Sequence, residues 1–367
     1  MTCSHGKLGP EAPLSGALGT GPSPLQAPTT VGTGRSPMPR ALITAVPFGE
    51  VDRSSLDLLR EAGVPFDLNP LGRKLTAEEL VSLIPGYDLL IAGTEPITKM
   101  AIQAADRLRL ISRVGVGLDS VDLAAARRRG IPVAYTPEAP ADAVAELTIG
   151  MALSLLRGVH LANQAVRGGV WQRLQGRRLA RVTVGVVGVG RIGRRVITLL
   201  SVFGCRILAN DVRPVSLDAP HGHVEWVDLA TLLRESDLVT LHVPLTRRTR
   251  HLVGAAELAT MRSGALLINT CRGGVVDEGA LATALRDGRL AGAGVDTFTH
   301  EPYDGELVGI ETCLITPHMG SMAADCRQRM EQGAAQNVVA FLHGDPLDAL
   351  VPQSEYDLHA EDRSAAR

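Results

Sequence analysis

From residue 41 onward, short apolar runs alternate with amphipathic stretches in the repeating order strand, helix, strand. The runs at 41–46, 64–68, 87–92, 108–113 and 131–135 read as strands. Between them, Ser54 to Glu61 reads as a helix stopped by Gly63. A second helix opens at Thr76, whose spacing to Glu79 makes a capping box, and closes before Pro85. Val121 to Arg129, ended by Gly130, completes a first compact unit. Parallel strands need crossover helices, so this alternation predicts a parallel sheet.

A helical pattern free of proline then runs from Ala141 to about Val166, past Gly150 and Gly158. It exceeds the mean helix length of about 11 to 12 residues and is expected to join two domains. Strands follow at 182–187, 205–210, 238–243, 265–270, 291–295 and 313–316, separated by helices such as Arg191 to Phe203 and Ala280 to Arg286. This is a second doubly wound unit. A last helix, about Met322 to Leu342, lies beyond what the second sheet needs and is expected to pack back on the first. No further domain is recognisable after residue 352, and 353–367 read as a disordered tail. So do the first 39 residues, with seven Gly, seven Pro and no apolar periodicity; Met38, just ahead of the first strand, is a candidate start of translation.

Composition narrows the class. Hydrophobic residues make up 45% of the 367 and aromatics 3%, so the core must be built from Val, Leu, Ile and Ala, as in parallel sheets covered by helices. A net charge of −2 argues against an electrostatically driven nucleic-acid binder. No run reaches the roughly 18 apolar residues of a membrane span. Five scattered cysteines (Cys3, Cys205, Cys271, Cys313 and Cys326) without a CxxC pair fit a reducing cytoplasm and supply neither a disulfide framework nor a metal site.

Gly188, Gly190 and Gly193 have the spacing GxGxxG, directly after a β-branched strand and at the opening of a helix. The three serve a tight turn, close approach of backbone to a pyrophosphate, and close helix–strand packing. The amides of Arg191 and Ile192 then face the phosphates at the positive end of the helix. The next strand ends at Asp211, 18 residues past Gly193, where a carboxylate can accept hydrogen bonds from the adenosine ribose. Its charge would repel a 2′-phosphate, which favours NAD; Arg213, two residues on, keeps NADP open.

Three further segments end strands on the same edge of this sheet. Asn269 to Glu278 places Arg272 in a glycine turn, Gly294 to Pro302 carries Glu301, and Thr316 to Ser321 carries His318. Carboxyl ends of strands are where open α/β sheets bind ligands. With Arg113 to Asp122, Ala145 to Thr148 and His242 to Thr246, these segments make the chain, from about 41 to 350, resemble the NAD-dependent D-2-hydroxyacid dehydrogenases, phosphoglycerate dehydrogenase-like branch.

The resemblance implies an α/β fold of two doubly wound parallel-sheet domains. A Rossmann NAD-binding domain over 141–319 would be inserted in a flavodoxin-like substrate-binding domain formed by 40–140 and 320–352. It implies that His318 is the general acid/base and Glu301 its partner, since a carboxylate beside an imidazole orients the ring and favours its protonated form. Arg272 would hold the substrate carboxylate and polarise the reacting oxygen, with the backbone of Gly115, Val116 and Gly117 clamping that carboxylate from the other side. Asp296 would bind the nicotinamide amide, and Thr270 and Cys271 would lie beside the ring. His242 reads as a strand-end residue near the adenosine, Cys271 as small filler, and Asp277 and Glu278 as helix caps.

The substrate is expected to be a small anionic 2-hydroxy or 2-keto acid. Where the phosphoglycerate branch has an arginine after the third strand, this chain has Gly93, and Glu95 would repel a phosphate; Arg73, Lys74 or Lys99 could stand in. A phosphonate or another acid of specialised metabolism remains open, as does an NAD(H)-sensing corepressor-like regulator. Formate oxidation is disfavoured, because that branch replaces the glutamate by glutamine. A homodimer paired through the cofactor domain is implied.

Overall fold

The computed structural model describes residues 38–217 and 224–357. Nearly all of the tail expected over 1–39 lies outside the described residues.

The first sheet contains β1 (Ala41–Ile43), β2 (Phe66–Leu68), β3 (Leu89–Ala92), β4 (Leu110–Arg113) and β5 (Val133–Ala134), in the order β2-β1-β3-β4-β5. The second contains β6 (Thr183–Val187), β7 (Arg206–Asn210), β8 (Val224–Trp226), β9 (Leu238–Leu241), β10 (Ala265–Asn269), β11 (Leu290–Val295) and β12 (Cys313–Ile315), in the order β12-β11-β10-β9-β6-β7-β8. Every pairing between these strands is parallel. The first order is flavodoxin-like; the second, from β8 inward, is the dinucleotide-binding order with one strand added. This is the expected fold class.

Successive strand residues face opposite sides, and both faces are apolar. Ala41, Ile43, Leu89, Ile91 and Leu110 look one way, onto Cys326, Met330, Ala334 and Val338 of the helix Ala324–His343. Leu42, Leu90, Ala92, Ile111 and Val133 look the other. The last helix thus covers the first sheet, and the Ser112 hydroxyl donates to the Ala334 carbonyl at 2.9 Å.

Three differences from the sequence reading have physical causes. The helix expected over 141–166 is two helices, Ala141–Arg157 and Val159–Arg167, bent by 64°. Gly158 takes a left-handed φ of 62°, which ends the first helix, and the returning Arg177 amide bonds the Leu156 carbonyl at 2.8 Å. Strand β8 was not foreseen, because three residues at a sheet edge carry no periodic signal. The tail expected from 353 instead begins with a helical turn at 353–357, where Arg127 lies 4.1 Å over the Tyr356 ring; the rest lies outside the described residues. Among those residues no single helix is long and apolar enough to cross a membrane.

Candidate functional site

In both sheets the strand order reverses at one point, between β1 and β3 and between β6 and β9, and the loops leaving those strands line one cleft. On the second sheet, Gly188 (φ 88°) leads from β6 into the helix Arg191–Phe203. A Cβ on Gly188 would stand 2.6 Å from the His242 carbonyl, and one on Gly193 would stand 2.0 Å from the Gly188 carbonyl. A Cβ on Gly190 would meet nothing within 4 Å; its backbone faces open space, and a pyrophosphate fits there. Arg191 pairs with Glu138 in the connection between the sheets.

Asp211 closes this cradle from β7. One carboxylate oxygen accepts from the Val189 amide at 2.6 Å and the other from the Arg213 amide at 3.1 Å, so the acid is fixed to the glycine turn. His242 is buried, which pushes its imidazole down to about 3 and keeps it neutral. Burial likewise pushes the Cys271 thiol up to about 11, in keeping with filler. The Thr270 hydroxyl shares a 2.9 Å hydrogen bond with Thr148.

Arg272 follows β10 in a turn folded by Asn269, whose amide donates to the Arg272 carbonyl at 3.0 Å and whose oxygen accepts from Cys271 N at 3.1 Å. A Cβ on Gly273 would overlap the Phe298 backbone at 1.9 Å, so the Arg272 turn lies directly on the loop that carries Glu301. Phe298 stacks on Tyr303 at 4.1 Å and braces that loop. Glu278 joins in as well. Where the sequence suggested a cap, its carboxylate accepts from the Thr299 amide and hydroxyl at 2.7 and 2.8 Å; the cap is Asp277, on Ala280 N.

His318 Nδ1 lies 2.8 and 3.1 Å from the two Glu301 oxygens, which turns Nε2 away from the carboxylate. Burial would raise the Glu301 carboxyl, but the hydrogen bond and charge of His318, with the Phe298 amide and Lys74, together outweigh it and hold the group below its usual value. The His318 backbone has φ 52°, a conformation that a non-glycine residue keeps only when its surroundings impose it. Asp296 imposes it: buried at the end of β11, it accepts from Thr316 Oγ1 at 2.5 Å and from the Met319 and Gly320 amides at 2.8 Å each. The residue expected at the nicotinamide amide is therefore also the one that shapes the His318 turn.

The first sheet contributes the opposite wall. Gly115 (φ 125°), Val116 and Gly117 follow β4. The Gly115 amide donates to Thr136 Oγ1 at 2.7 Å, so of the expected clamp its NH is already engaged. Gly117 touches Arg272 so closely that a Cβ there would lie 1.5 Å from Nη2. Sequence reasoning missed Asp119 and Arg113. Asp119 accepts from Arg272 Nε at 2.8 Å. Arg113 is 3% exposed beneath Gly115, its Nε has no protein partner, and burial lowers it to about 10.

Beyond Arg272 and His318 a cavity of ≈ 440 Å³ is lined by Lys74, Thr94 and Lys99 among others. Of the three candidate cations, Arg73 is held outside it by two hydrogen bonds to Glu79 at 2.7 and 2.9 Å. Glu95, expected to repel a phosphate, is 1% exposed and bonded to Thr44 and to the Gly93 amide at 3.2 Å. Its charge sits in the wall near Arg113.

Comparison with known proteins adds to this geometry. Residues 149–320 match the family model described as D-isomer specific 2-hydroxyacid dehydrogenase, NAD binding domain. Glyoxylate reductase from Thermofilum pendens is 40% identical over 284 residues, 75% of this chain and 84% of that protein. D-3-phosphoglycerate dehydrogenase from Methanocaldococcus jannaschii is 36% identical over 283 residues, 76% and 54% of the two chains. The solved structure of D-lactate dehydrogenase from Aquifex aeolicus, complexed with NAD and lactic acid, superposes with a TM-score of 0.76 at 27% identity, covering 85% of this chain and 98% of that one.

Proposed function

The chain belongs to the D-isomer specific 2-hydroxyacid dehydrogenase family, and from that premise we propose that it interconverts a small 2-hydroxy acid and its 2-keto acid with His318, Glu301 and Arg272 as the reacting constellation. NAD, when bound, accepts or supplies the hydride at C2. His318, oriented through Nδ1 by Glu301, moves the proton on the substrate oxygen from Nε2. Arg272 Nη2, facing Gly117, binds the carboxylate together with the loop amides at Val116 and Gly117. The walls on either side exclude water from the reacting centre. Gly188, Gly190 and Gly193, with the amides of Arg191 and Ile192, would hold the pyrophosphate, and Asp211 would meet the ribose.

The observation that carries this reading is the 2.8 Å contact of His318 and Glu301 within the cavity that also receives Arg272. NADH consumption is the test, with glyoxylate, hydroxypyruvate, 3-phosphohydroxypyruvate and phosphono-carbonyl compounds, on wild type and His318→Gln. Turnover lost in the variant supports the assignment. Silence of the wild type on every compound, with NADH bound, overturns it in favour of a dinucleotide-sensing regulator.

We also place a homodimer contact on the helix Val159–Arg167, which buries no residue in the chain, and on the segment after it, where Val170 and Trp171 (87%) are exposed. Light scattering would show twice the chain mass. The four described cysteines are buried and unpaired, which suits the cytoplasm.

A further inference from the structure

Two members of the proposed constellation, both carried by loops of the second sheet, meet a counter-charge that comes from the first. Asp119, in the loop after β4, accepts from Arg272 Nε at 2.8 Å, while Arg272 Nη1 donates to the Cys271 carbonyl at 2.7 Å. With those two nitrogens engaged the guanidinium cannot rotate, and Nη2 is left directed at Gly117. Burial alone would raise the Asp119 carboxyl, yet Arg272 holds it at about 2, so it stays ionised opposite the arginine.

Lys74 lies between β2 and the helix Ala77–Leu83, and its Nζ is 3.6 Å from Glu301 Oε2. Its backbone is held on both sides. The Asn69 side-chain amide donates to the Arg73 carbonyl at 2.8 Å and to the Thr44 carbonyl at 3.3 Å, while Leu75 is buried and Thr76 closes a capping box. Glu301 is thus faced by His318 and the Phe298 amide from its own wall, by Arg272 beside it, and by Lys74 from the opposite wall.

We propose that Asp119 and Lys74 are positioning residues through which the first-sheet wall completes the reacting constellation: Asp119 sets the rotation of Arg272, and Lys74, paired with the second Glu301 oxygen, keeps that carboxylate directed at His318. The inference rests on the dehydrogenase reading above. The anion site and the acid–base pair are then fully formed only when the two walls of the cleft are in contact, which ties proton transfer to an enclosed, water-poor site.

Three variants test it: Asp119→Ala, Lys74→Met and Lys74→Arg. Asp119→Ala should raise KM for the keto acid about 10-fold or more with the Kd for NADH unchanged, because the bond on Arg272 Nε that fixes the direction of the carboxylate-binding Nη2 is lost while the cofactor cradle is untouched. Lys74→Met should lower kcat by about 5-fold, the size of a partly exposed ion pair, and move the Glu301 carboxyl titration upward in 13C NMR of the free protein. Lys74→Arg should restore both. An unchanged keto-acid KM in Asp119→Ala would overturn the proposal. So would a Glu301 titration that stays put in Lys74→Met, or losses that affect NADH binding equally and follow a drop in Tm. The carboxyl titration needs no turnover, so a wild type silent on all substrates would sink the dehydrogenase reading while the Lys74 contact is still decided.

Discussion

Gly117→Ala puts one methyl group where the two walls of the cleft touch. Its Cβ would stand 1.5 Å from Arg272 Nη2, 2.6 Å from Cζ and 3.0 Å from an Asp119 oxygen. Ordinary contact needs about 3.4 Å, so the guanidinium must retreat by about 2 Å. Gly117 has no left-handed φ, and the atoms in its way end a long side chain, so the chain should still fold. What is lost is placement. Misplacing a binding group by about 1 Å can cost about 100-fold, and a charge-assisted hydrogen bond is worth about 1.5 to 3 kcal/mol. At about 1.36 kcal/mol per decade, kcat/KM for the keto acid should fall at least 100-fold, about 2.7 kcal/mol in the transition state. Steady-state NADH oxidation measures this, with fluorescence quenching for the Kd of NADH and thermal melts for the fold. Gly273→Ala is the contrast, since its Cβ meets the Phe298 backbone at 1.9 Å, which cannot yield, and Tm itself should drop. Wild-type kcat/KM in a folded Gly117→Ala would refute the placement of Arg272 as the carboxylate-binding group.

Further outcomes follow from the same geometry. His318→Gln should lower kcat by about 100- to 10,000-fold with NADH affinity kept, and near-normal turnover would remove His318 from proton transfer. Asp211→Ala should weaken NADH and narrow the preference over NADPH, because the acid both supports the glycine turn through Val189 N and repels a 2′-phosphate; a preference unchanged in direct titrations would assign that role elsewhere. Asp119 has a folded value of about 2 against 3.8 for the free group, a depressed acid, so its stabilisation is whole above about pH 4 and disappears as pH falls toward 2. The Tm gap between wild type and Asp119→Asn, followed by calorimetry from pH 6 to 2, should therefore shrink on acidification, and a constant gap would show that the Arg272 pair does not act through charge.

Much of the architecture was legible because its signals are local. Alternating apolar runs and amphipathic segments mark strands and helices by their own periods, and Thr76 with Glu79 and Asp277 mark helix starts by backbone geometry alone. The glycine spacing after β6 and the placement of Arg272, Glu301 and His318 at strand ends are local too, since a parallel sheet brings all its carboxyl ends to one edge. The sequence by itself therefore determined the two-sheet class, the glycine turn after β6 and the strand-end positions of the three side chains proposed to react.

Tertiary structure decided how those side chains are held. Asp119 reaches Arg272 across 153 residues of chain, and no spacing rule connects them. Glu95 reads as an exposed charge until the β1 loop closes over it and Arg113 comes to lie beside it. The left-handed backbone at His318 exists because Asp296, on another strand, binds the two amides after it. Gly158 was visible as a glycine but not as a bend, because a helix tolerates glycine until the returning chain caps its end. Charge pairing, strain and bends depend on which surfaces meet, and that is settled only when the whole chain has packed.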